Sequence, residues 1–78
     1  DHITARMQSY TFDKFGWFTV TLDNGQVWKQ VQGDTTYATR TWKKPAGSYQ
    51  VRVSHGFLGS YNLQVHGLPG LYKVIRAP

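Results

Sequence analysis

Gly and Pro interrupt this chain before any segment reaches helical length, and between them apolar and polar residues alternate with period two, which confines the fold to short strands. Residues 17 to 22 read Trp-Phe-Thr-Val-Thr-Leu, setting Phe18, Val20 and Leu22 on one face and Trp17, Thr19 and Thr21 on the other. Asp23-Asn24-Gly25 follows. Asn-Gly between two alternating runs signals a hairpin, because both residues tolerate positive φ, and residues 26 to 32 form the returning strand. Two registers remain open. A two-residue Asn-Gly turn pairs Leu22 with Val27 and turns Val27 and Val31 inward, whereas a three-residue turn with a bulge at Gly25 turns Trp28 inward. Apolar area leans toward the second, since Trp28 buries more surface than Val27.

Further along, Gly47-Ser48-Tyr49-Gln50-Val51-Arg52-Val53 is echoed by Gly59-Ser60-Tyr61-Asn62-Leu63-Gln64-Val65. Each copy puts a Tyr and two aliphatics on one face. The short offset fits consecutive antiparallel strands joined through a turn over Gly56 to Gly59, not a solenoid repeat. Residues 71 to 76 give a last strand and Ile3 to Phe12 a first one. Residues 35 to 42, rich in Thr and aromatics, are expected to be extended. Phe18, Tyr49 and Tyr61 are core residues by alternation.

A chain of 78 residues makes one domain with a marginal core, and without any cysteine neither a disulfide framework nor a thiolate zinc site holds it together. Twelve aromatics supply the packing area instead. No apolar run is long enough to cross a bilayer as a helix and no signal peptide is visible. The start at Asp1 rather than Met suggests an excised domain or a processed product. With five or six strands and no candidate for a long helix, the expected fold is all-β, a small antiparallel SH3-like barrel spanning 1 to 78.

The run Leu22-Asp23-Asn24-Gly25-Gln26-Val27-Trp28-Lys29-Gln30, with Gly59-Ser60-Tyr61-Asn62-Leu63 and Tyr72-Lys73-Val74-Ile75-Arg76, resembles a group of small proteobacterial secreted or periplasmic proteins with a C-terminal SH3-like β domain. The resemblance spans about residues 12 to 76 and departs from the group's pattern over Thr35 to Lys44. It implies a periplasmic or cell-envelope location and carries no catalytic residue.

Nine Lys and Arg stand against four acidic residues, all Asp, for a net charge of +5. Asp13, Asp23 and Asp34 fall in or before turns, where a short carboxylate bonds backbone N–H groups, so paired-carboxylate catalysis is poorly supplied. His2, His55 and His66 lack metal-ligand spacing. His55 and His66 end the two similar strands and are placed to meet at one edge, and the alternative is two exposed strand-end histidines. Ser48 and Ser60 start strands and do not form a nucleophile elbow. No catalytic residue, metal or cofactor is expected.

Basic and aromatic residues together are what remains. Arg40, Lys43 and Lys44 flank Trp42, and Trp17, Trp42, Tyr10 and Tyr37 are not obviously accommodated by the alternation. The structural explanation is that small β domains place Lys on edges and aromatics in cores. The functional one is a binding surface around the 37 to 45 loop, made of Trp17, Tyr37, Arg40, Trp42, Lys43 and Lys44, such as SH3-like folds offer to extended peptides. The expected function is a non-enzymatic binding or assembly module of a cell-envelope protein. Its partner would be a protein, a peptide or an anionic envelope component. The alternative is a nucleic-acid-binding barrel, in which cations neutralise phosphates and aromatics stack bases.

Overall fold

A computed structural model describes all 78 residues. It contains six strands: β1 (His2–Phe12), β2 (Phe18–Leu22), β3 (Val27–Gln30), β4 (Gln50–His55), β5 (Tyr61–Val65) and β6 (Tyr72–Ala77). They close in the order β1-β2-β3-β6-β5-β4, with β4 pairing back to β1 and every pair antiparallel. The all-β, SH3-like small barrel expected from the alternation is therefore what forms. Closure leaves no unpaired sheet edge, the feature that most exposes a β protein to aggregation.

The hairpin takes the bulged register. Val20 lies opposite Trp28 and Thr21 opposite Val27, while Gly25 sits at φ +87° and donates its N–H to the Leu22 carbonyl at 3.0 Å. Trp28 thereby points inward, 4% exposed, and its indole N–H finds the Gln26 side-chain oxygen at 3.1 Å. On β1 the register shifts between Met7 and Ser9. One extra residue there switches the inward parity, so that Ala5 and Met7 before it and Tyr10 and Phe12 after it all face the core.

Fifteen apolar residues form one contiguous core. Residues 35 to 42 correct the sequence reading, because they make no strand. The chain turns instead, with the N–H groups of Thr41 and Trp42 both donating to the Ala38 carbonyl at 2.9 Å. Ala38 and Trp42 are both buried. The β-favouring composition of that stretch gives way to packing, since a turn lets two apolar side chains drop onto the end of the barrel.

Asp34 ties this crossing segment to the sheet. Its carboxylate accepts hydrogen bonds from the Gln30 side chain (2.9 Å), the Thr35 N–H (3.0 Å) and the Lys73 N–H (3.0 Å). Two phenols complete the anchoring. Tyr49 accepts from the N–H groups of Lys43 and Lys44 at 2.9 Å each, and the Tyr10 hydroxyl donates to the carbonyls of Trp42 and Lys44 at 3.2 and 2.7 Å. Burial, and secondarily the nearby Tyr49 phenol, raises the Tyr10 pKa.

Candidate functional site

The β1–β2 turn shows how local sequence builds an aromatic surface. The Asp13 carboxylate accepts from the N–H groups of Phe15 (2.9 Å) and Trp17 (3.0 Å), an Asx-type turn, and Gly16 takes the positive φ of +88° that the reversal requires. The turn cannot bury what it carries. Phe15 is 59% exposed, its ring lies 5.6 Å from that of Trp17, and the Lys14 ammonium lies 5.2 Å from the Phe15 ring centroid.

The crossing segment comes against this turn. A Cβ on Gly16 would meet Thr39 at 3.4 Å and the Tyr37 ring at 3.5 Å, so Tyr37, itself half exposed, stands beside Phe15 and Trp17. On its other side Trp17 borders an open groove of about 410 Å³ between β2, β3 and β6, shared with Asp13, Thr19, Lys29, Gln32 and Ile75. The Trp17 indole N–H is buried without a protein acceptor.

Among the residues expected to form a binding surface, Trp17 and Tyr37 are thus brought together. Arg40, Lys43 and Lys44 are exposed along the crossing segment, yet none of them lines the groove, whose cation is Lys29. Trp42 is a correction. It is 2% exposed and packs against Tyr10, Phe12, Phe18, Tyr49 and Tyr72 with ring centroids 4.6 to 6.4 Å away, so it is unavailable for stacking on a ligand. Its position in a polar, basic stretch hid this, because the crossing segment's burial depends on residues far away in sequence.

At the opposite end of the barrel, Tyr61 packs between Trp28, edge-to-face at 5.0 Å, and His55 at 4.7 Å. Tyr61 is half-buried rather than fully core, because it rims a cavity of about 200 Å³ bordered also by His2, Ile3 and Arg76. His55 and His66 do not meet. Antiparallel pairing sets His55 opposite Tyr61 at one end of the β4–β5 hairpin, while the His66 N–H bonds the Gln50 carbonyl at the other. No group of three or more His, Cys, Asp or Glu side chains gathers to hold a metal, and no helix is long and apolar enough to cross a membrane.

Sequence reasoning missed Lys29 and Ile75 at the groove and Phe15 on the turn beside Trp17. It also missed Phe57 and Leu58 beside the open mouth, which are 83% and 87% exposed. The signal was there for three of them: an apolar residue inside a tight, glycine-bounded turn has no strand to carry it inward. Comparison with protein-family models, with curated proteins and with solved structures finds no significant match to this chain.

Proposed function

We propose that the domain is a non-enzymatic binding or assembly module of a bacterial cell-envelope protein, taking an extended peptide or anionic envelope component along the groove beside Trp17. The observation that carries this reading is the clustering of three aromatics, Phe15, Trp17 and Tyr37, around one turn, next to a groove with Lys29 and Ile75 on its wall. Partly exposed rings offer large contact area at small entropic cost, and a cation at the groove selects for negative charge. The envelope location rests on the sequence resemblance.

The carboxylates support the non-enzymatic part. Asp13 and Asp34 accept backbone hydrogen bonds at turns and across strands, and Asp23 accepts one from the Arg6 N–H. These groups hold the fold. Burial of Trp42 removes the ring that sat among the cations, which weighs the reading toward peptide or glycan-peptide ligands over single-stranded nucleic acid.

Indole signals in two-dimensional NMR test the proposal. Soluble peptidoglycan fragments, which are anionic glycan-peptides, are expected to shift the Trp17 indole saturably and leave that of Trp42 in place, with the shift lost in Phe15→Ser/Tyr37→Ser. A salt-sensitive micromolar affinity for a thymidine oligonucleotide at the same residues would instead establish the nucleic-acid reading. Absence of any Trp17 shift with either probe overturns the groove as the binding site.

A further inference from the structure

We propose that the open end of the barrel docks on an anionic lipid bilayer, with Phe57 and Leu58 inserted between the headgroups and the mouth's cations resting on them. This site lies at the far end of the molecule from the Trp17 groove and does not depend on it. The two residues are adjacent and are the most exposed large apolar side chains of the chain. They are not loose. The Gly56 N–H donates to the Ser60 carbonyl at 2.7 Å, and the Ser60 hydroxyl donates to the Phe57 carbonyl at 2.8 Å.

The turn is shaped to present them. Gly56 has no room for a side chain, since a Cβ would lie 2.6 Å from the Ser60 hydroxyl, and Leu58 occupies the left-handed region at φ 57°, ψ 45°. That region suits Gly or Asn and is costly for Leu. A bulky apolar side chain is thus held outward at a backbone position where a small polar residue would sit more easily, which marks such strain as a functional lead.

Charge around the tip selects the occupant. Arg76 rims the mouth next to Tyr61, and Arg52, 3.4 Å from the His2 ring, lies further along the same sheet. One carboxylate, Asp1, stands among them. An apolar tip beside Arg76 and Arg52, on a chain of net charge +5, matches the chemistry of an anionic interface, where apolar insertion and electrostatic attraction add. A second copy of this chain fits less well. Each copy carries +5, and two side chains fall far short of the roughly 800 Å² per partner that a stable interface buries.

Co-sedimentation with vesicles of phosphatidylglycerol and phosphatidylethanolamine, set against phosphatidylcholine vesicles, tests the proposal. The expected result is retention on the anionic vesicles only, reduced about tenfold or more in Phe57→Ser/Leu58→Ser and about fivefold in Arg76→Gln. Trp17→Ala should leave it unchanged, so failure of the groove and failure of this proposal remain separable. As a second readout, the emission of Leu58→Trp is expected to shift to the blue on anionic vesicles. Equal retention of the wild-type chain and the double variant, or no retention of either, overturns the proposal. Concentration-dependent self-association abolished by the double variant, without vesicle binding, would overturn it in favour of a contact between copies.

Discussion

At one end of the barrel Trp42 is enclosed by five aromatic rings, whereas at the other Trp28 and Tyr61 border a cavity open to solvent. The difference lies in the connections. Nineteen residues join β3 to β4, enough chain to cross the barrel end and return with Ala38 and Trp42 facing inward. The β2–β3 and β4–β5 links at the opposite end contain four and five residues, too few to fold back over the mouth. Apolar residues in such a link stay outside, as Phe57 and Leu58 do. Link length, more than residue type, decides which aromatic becomes core and which becomes surface.

The largest expected effect tests the plugged end. Trp42→Ala should cost about 3–5 kcal/mol, comparable to the whole net stability of about 3–5 kcal/mol typical of so small a core, so circular dichroism should find the variant largely unfolded at 25 °C. Trp28→Ala enlarges a cavity that water already reaches and should cost at least about 1 kcal/mol less. Equal destabilisation of the two would break the contrast between the ends.

Next comes the anchor of the crossing segment. Asp34→Ala leaves the Thr35 and Lys73 N–H groups without their acceptor, while the Gln30 amide keeps the Thr36 carbonyl, and should cost about 2–3 kcal/mol. Hydrogen exchange is expected to accelerate first over residues 35 to 44, with the β4–β5 hairpin still protected. Simultaneous loss of protection in both regions would show that the plug and barrel are one cooperative unit.

An alkaline effect of moderate size should also trace to the plugged end. Burial raises the pKa of the Tyr72 phenol. The Trp42 indole N–H, near the hydroxyl but outside hydrogen-bond geometry, offsets part of this, and the Asp34 carboxylate adds to it. The folded state therefore holds this proton more tightly than the unfolded state does. Its contribution is fully present below the ordinary phenol value of about 10 and is lost as pH rises through the higher folded value. Urea midpoints followed through the alkaline range should decline, and Tyr72→Phe should flatten that decline. An unchanged slope would shift the cause to Tyr10, whose pKa is also raised.

The smallest effect belongs to the open end and has the opposite sign. Leu58→Gly relieves the left-handed strain and should raise stability by up to about 1 kcal/mol, read as a few degrees in Tm. A loss of stability would mean that Leu58 packs on the barrel instead of standing off it.

Strand positions were readable because period-two alternation is local, whereas the hairpin register stayed open and the larger area of Trp28 only leaned toward the bulged form that the structure shows. Asp13 and Asp34 could be assigned to turns on the same local grounds, by the reach of a carboxylate to its neighbouring N–H groups. The candidate site was only half legible. Trp17 and Tyr37 were identified as unaccommodated rings, but their meeting at Gly16 needs the crossing segment to return to the β1–β2 turn. Trp42 was misjudged for the same reason, since nothing within its neighbourhood of cations records that Phe18 and Tyr72 wait for it.

From its residues alone this chain determined that it would be an all-β domain of short antiparallel strands, because side-chain alternation and turn chemistry act over a few residues. Only the tertiary structure decided which ring plugs the barrel and which end stays open. Those outcomes depend on closing β4 onto β1 and on the span of the β3–β4 connection, and burial is a property of residues that meet in space, whatever their distance along the chain.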